Sequence, residues 1–293
     1  IVFEGNAPSD VKENQPLRKL IQGSADLPVS PDAPQRIPTT SRIWLGTPNS
    51  IKGPTEAIFR RQSASNLLLV GQSDERMLTL LSIGLVSLAA QHAKDNAKFF
   101  VLHNLAAGSS QLDFVQRVIA AVPQPLVQAG NANLADTMTT LAEELKRRQE
   151  KETDAEIYVF IHDLQNFKKL RQEDEFSFSS SSSEVSPAAI LTELLTNGPA
   201  HGIHVILACD SYGNVTRFLG RKTLAEIEMR VAFQMSAADS ASLIDAPDAS
   251  TLGLHRAVLF NEREGSLETF RPYALPGGDW VEEVTGKLAA RVG

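Results

Sequence analysis

The sequence predicts an α/β fold: a mainly parallel central sheet with helices on both faces. Two observations carry this. Short, continuously apolar runs recur at 66–70 (NLLLV), 98–103 (KFFVLH), 156–161 (EIYVFI) and 204–208 (HVILA). Runs that are apolar at successive positions, rather than alternating, suit strands buried on both faces, as in parallel sheets. Between them lie segments of helical periodicity: 79–93, where Leu80, Leu81, Leu85, Leu88 and Ala89 share a stripe, then 112–121, 134–150 and 187–197. Strands alternating with helices imply a doubly wound sheet, and such sheets bind ligands at the carboxyl ends of their strands.

The elements follow in order. Residues 1–41 are rich in Pro, Asp, Asn and Ser and read as a connector laid over a domain surface, with a short helix at 16–22 and a strand at 1–3. A start at Ile1 rather than Met reads as a piece cut from a longer protein. Strands are expected at 43–46 and 57–59 before the 66–70 run. The 134–150 helix ends in Lys146-Arg147-Arg148, which suits the negative end of the helix dipole and reads as a solvated face rather than a nucleic-acid contact. Lys168, Lys169 and Arg171 read in the same way. Residues 172–186, with five consecutive serines, read as a mobile loop. Beyond them, strands are expected at 204–208, 230–235, 257–261 and 266–271, with helices near 223–228 and at 238–245. The whole reads as one domain over 42–276 followed by a C-terminal helix in 277–293.

Composition narrows the function. With 293 residues, 42% hydrophobic and 22% charged, the chain has enough apolar material for a large core. A formal charge of -7 supplies no global basic field toward nucleic acid or an anionic membrane. No apolar run approaches the roughly eighteen residues that span a bilayer. The single cysteine, Cys209, excludes an internal disulfide, fits a reducing compartment and, behind Ile206, Leu207 and Ala208, reads as a small buried apolar side chain. His103, His201, His204 and His255 lack metal-ligand spacing, so no metal is expected.

The 66–70 strand runs into Gly71-Gln72-Ser73-Asp74-Glu75-Arg76-Met77-Leu78. A phosphate-binding loop reads G-x-x-x-x-G-K-[ST]: the glycines let backbone N–H groups close on phosphate, the lysine neutralises it, and the hydroxyl binds magnesium. Counted from Gly71, this chain has Arg76, Met77 and Leu78 at the last three positions, with Asp74 and Glu75 where an anion would rest. The layout is present and its chemistry is missing. Arg76 by itself reads as a solvated arginine on a helix's first turn, since one guanidinium does not replace a backbone cradle.

Five segments in order resemble the FtsK/SpoIIIE family of the HerA–FtsK group of motor ATPases. They are NLLLVGQSDERMLTLL from Asn66, LAEELKRR from Leu141, IYVFIHD from Ile157, GPAHGIHVILACD from Gly198 and RVAFQMSAADSASLID from Arg230. The resemblance spans about 42–276 and implies a RecA-like P-loop NTPase fold. It places His162 and Asp163 at the Walker B acids, with His162 replacing the magnesium-associated Asp and Asp163 in the place of a catalytic Glu. It also implies Arg230, with Arg217 and Arg256 on nearby loops, as candidates for an arginine acting in trans. Hydrolysis in this class rests on the P-loop lysine, magnesium and Walker B acids, so the departures imply a degenerate copy that requires no ATP or magnesium of its own. Proteins of this layout, DNA translocases and type VII secretion motors among them, combine competent and degenerate copies. The implied role is regulatory, ring-completing or substrate-binding. The implied partners are other ATPase domains of the same protein, a hexameric ring and a translocated DNA or protein substrate. The implied setting is the cytoplasm, beside a membrane that a larger protein would engage. The competing reading is a working ATP-binding DNA translocase domain with an atypical phosphate loop.

Overall fold

The computed structural model describes residues 7–23, 40–151, 153, 155–172 and 185–290. The strand expected at 1–3 and nearly all of the serine-rich segment lie outside them. Ten strands form one sheet in the order β2-β1-β10-β9-β8-β3-β7-β6-β4-β5. The six strands from β8 to β5 are parallel: β8 (Met229–Ala232), β3 (Leu67–Val70), β7 (Ile203–Cys209), β6 (Glu156–Ile161), β4 (Ala97–Leu102) and β5 (Leu126–Ala129). β3, β6 and β7 are buried at every position, as their unbroken apolar runs require.

The remaining four strands are the antiparallel part of this mainly parallel sheet. β9 (Ala257–Asn261) and β10 (Ser266–Pro272) form a hairpin, as do β1 (Ser41–Pro48) and β2 (Thr55–Phe59), and both pair antiparallel. Their loops are too short for the crossover a parallel neighbour needs. On one face of the sheet α1 (Gln15–Ile21), α2 (Asp74–Gln91), α3 (Ser110–Ala120) and α9 (Gly278–Ala289) close one core. On the other, α4 (Leu134–Glu150), α5 (Pro187–Asn197), α6 (Tyr212–Phe218), α7 (Arg221–Ala225) and α8 (Ala237–Ile244) close a second. Among the described residues no helix is long and apolar enough to cross a membrane.

Two expectations about local sequence change on seeing the chain folded. Val11, Leu17, Leu20 and Ile21 are buried in the first core beside Trp280 and Val284 of α9, so residues 9–23 are part of the packing rather than a strip over it. Arg148 does not lie on a solvated face. It is 3% exposed, pairs with Glu144 at 2.8 Å, and donates to the carbonyls of Ala155 (2.7 Å), His201 (3.0 Å) and Gly202 (3.2 Å). A helix end is thereby fastened to the turns that start β6 and β7.

Candidate functional site

The carboxyl ends of β3, β7 and β8 open onto a cleft of about 600 Å³. Gly71, Gln72, Ser73 and Arg76 line it from the first strand, Asp210, Ser211 and Tyr212 from β7, and Phe233 to Ser236 with Asp239 from β8. Sequence reasoning selected the first group and missed the other two, although both directly follow buried strands and so had to arrive at the same sheet end.

The phosphate-loop positions are built differently from a phosphate cradle. α2 begins at Asp74, five residues earlier than its apolar stripe suggests, leaving only Gln72 and Ser73 between Gly71 and the helix. Ser73 is the extended N-cap, Asp74 and Glu75 put negative charge on the positive helix end, and the Met77 N–H already donates to the Ser73 carbonyl at 3.0 Å. With no glycine between 72 and 78, nothing opposes helix there. Met77 and Leu78 are 1% and 4% exposed and belong to the first core. The lysine and hydroxyl positions therefore point into packing, not into the cleft. Gly71 is needed for the same reason: a Cβ there would lie 2.7 Å from Phe233 Cβ and 2.9 Å from Met77 Cε. Its lack of a side chain serves close approach of neighbours.

His162 and Asp163, which the resemblance sets at the Walker B acids, directly follow β6. His162 is 4% exposed, and its ring borders a void of about 30 Å³ with Leu78, Leu81, Val115, Phe160 and His103. Its Nδ1 is 3.3 Å from Asp163 Oδ2 without hydrogen-bond geometry, and neither ring nitrogen has a partner. Burial holds His162 below the ordinary histidine range, against the pull of Asp163. Asp163 sits in the left-handed region at φ 56°. Burial pushes its carboxyl up, an effect that His162 opposes and that Asp74 and Asp210 reinforce. Among the described residues no group of three or more His, Cys, Asp or Glu is placed to hold a metal ion. Positions 77 and 78, where a phosphate loop carries lysine and a hydroxyl, hold Met and Leu.

The candidate arginines are also placed. Arg230 is corrected out of any trans-acting role: its side chain is 7% exposed, it donates to the carbonyls of Ile227, Leu243 and Leu224, and it pairs with Glu262. It ties β8 to α7 and α8. Arg217 on α6 donates to Asn214 at 3.2 Å, and Arg256 bonds the Asn49 side chain. Cys209 is fully buried, and burial pushes its thiol up to about 12, so it is no nucleophile.

Neither a protein-family model nor a curated protein matches this sequence. Solved structures do. The cytoplasmic domain of the type VII secretion ATPase EccC of Thermomonospora curvata superposes with a TM-score of 0.61 at 16% identity, over 98% of this chain and 35% of that one. The fold is that of a P-loop NTPase. EccC ATPases 2 and 3 in complex with a signal sequence peptide give a TM-score of 0.59 at 13% identity, covering 89% of this chain and 48% of theirs. EssC ATPases 2 and 3 of Geobacillus thermodenitrificans give 0.58 at 13%, covering 92% and 52%. This chain therefore spans between about a third and half of those chains, and at such identities the likeness concerns fold alone.

Proposed function

We propose that this chain is a nucleotide-independent P-loop module of a larger FtsK/SpoIIIE-like, multi-ATPase translocation motor, in which it completes or regulates the assembly instead of hydrolysing ATP. One observation carries the reading: the two residues at the lysine and magnesium-ligand positions are buried in the core, under a helix that starts where the phosphate turn would run. A phosphate loop closes on its ligand through a glycine-rich backbone and a lysine; here the chain runs from Gly71 through only Gln72 and Ser73 into α2, whose exposed first turn carries Asp74 and Glu75. The likeness in fold to secretion ATPases that carry several ATPase domains supports a setting among other such domains, and the acidic balance supports a protein-facing role over DNA.

Thermal denaturation tests this. A ligand that binds only the folded state raises stability by about 2.7 kcal/mol at one hundred times its dissociation constant. We expect the melting temperature to stay constant as magnesium-ATP is raised to millimolar concentration. A shift that grows with ligand concentration sinks the reading and restores the ATP-binding alternative.

A further inference from the structure

The cleft at the strand ends persists although the phosphate cradle is gone, and its lining has a definite chemistry. Asp210 and Asp239 line it, Asp74 and Glu75 stand exposed on its lip, and among the described residues Arg76 is the one cation on its wall. Asp210 is held by neutral donors, Asn214 Nδ2 at 2.8 Å and Ser211 Oγ at 2.9 Å, which orient its charge without compensating it. No lysine or arginine among the described residues forms an ion pair with Asp74, Asp210 or Asp239. Between the acids the wall is apolar: Tyr212 and Met235 are half-buried, Phe233 backs them, and Leu254 stands 65% exposed on the rim. An isolated exposed leucine is ordinary, but one set on the rim of a cleft with an aromatic and a methionine wall belongs to a surface that something covers.

We propose that this cleft is a docking site for a protein segment that presents a basic side chain next to an apolar one. The inference rests on the reading above that the cleft takes no nucleotide. Charge complementarity selects the occupant. An incoming guanidinium or ammonium meets Asp239 and Asp210 and can lie on the face of Tyr212, while its apolar neighbour covers Leu254 and Met235. A nucleic-acid backbone meets the same carboxylates as repulsion. The partner is thus a peptide or loop, from a neighbouring domain or from cargo.

The experiment uses the whole 293-residue chain and three fluorescein-labelled hexapeptides read by anisotropy: alternating Leu-Arg, alternating Leu-Glu, and alternating Ser-Arg. The Leu-Arg peptide is expected to bind saturably, the Leu-Glu peptide not to bind, and the Ser-Arg peptide to bind at least fivefold more weakly. Leu254→Ser and Asp239→Lys should each weaken Leu-Arg binding at least fivefold, while Glu143→Lys on exposed α4 should leave it unchanged. Leu254 is exposed, so its variant keeps its fold, and an unshifted urea midpoint shows this. Equal binding of the Ser-Arg peptide, or equal loss in Glu143→Lys, would reduce the effect to general attraction by an acidic protein and overturn the proposal. Absence of saturable Leu-Arg binding in a chain that magnesium-ATP also fails to stabilise overturns this inference alone. Displacement of the peptide by magnesium-ATP, together with a melting shift, overturns the nucleotide-independent reading as well.

Discussion

Single side chains decide how the turn after β3 packs and how the domain responds to pH. Met77 and Leu78 lie in the core, and Gly71 is held by the neighbours it touches, so these residues serve packing. A second buried set lies at the opposite end of the sheet. His92 Nε2 is 3.0 Å from both Ser41 Oγ and the Tyr158 hydroxyl, and its Nδ1 has no partner. Burial pushes His92 down to about 4, against the opposing charge of Glu156. In the unfolded chain the imidazole titrates near 6.5. Between these values the unfolded state therefore binds the extra proton, and stability must fall as pH drops through that window, by roughly 3 kcal/mol at its lower end. Urea midpoints measured from pH 7.5 down to 4.5 should show the decline, and His92→Gln should flatten most of it. His162 and His103, also held low by burial, leave a residual slope of the same sign. A decline that is the same in the variant would assign the effect elsewhere.

Elements were legible where their signal was long. The 134–150 helix and the 156–161 strand have their expected bounds, because periodicity and an unbroken apolar run leave no alternative. β5 was missed since it is a four-residue edge strand with only Ala129 buried, and α6 since its seven residues carry too little periodicity. The start of α2 was misplaced because the apolar stripe begins after the helix does; the acidic first turn, Asp74 and Glu75, marks that boundary. The cleft acids Asp210 and Asp239 lay in plain sequence, yet only topology brings them together. The end of α4 gives the sharpest contrast between a visible charge and its role. Arg147 and Arg148 both bond Glu144, but Arg147 is more than half exposed and Arg148 is buried over three carbonyls. Arg147→Ala should leave the urea midpoint nearly unchanged, as for an exposed ion pair. Arg148→Ala strips buried carbonyls of a donor and should cost about 2–4 kcal/mol. Equal urea midpoints for the two variants would refute the fastening role.

At the scale of the molecule, the sheet has a parallel half that carries the strand-end cleft and an antiparallel half that widens it to ten strands. The parallel half was readable because each of its central strands is buried on both faces; the wing's four strands were also expected, but not their antiparallel direction, which depends on hairpins. The wing and α2 are roofed by the early segment: α1 packs against α2 and α9, and Ser9 bonds the Arg271 carbonyl at 2.7 Å. If residues 9–23 are part of the domain, removing one of their buried side chains must act as a core deletion. Leu17, 1% exposed, should cost about 2–5 kcal/mol when replaced by alanine, since the cavity opens between α1 and the core and helix α1 cannot collapse into it without losing Leu20 and Ile21. Lys12, whose bond to Asp279 is 2.6 Å long but half in solvent, is the control from the same segment. Its alanine variant should leave the urea midpoint nearly unchanged, as expected for an exposed pair. If Leu17→Ala is as mild as Lys12→Ala, the segment rests on the domain as a connector and contributes nothing to its stability; a large and selective loss makes it a structural layer of the P-loop fold.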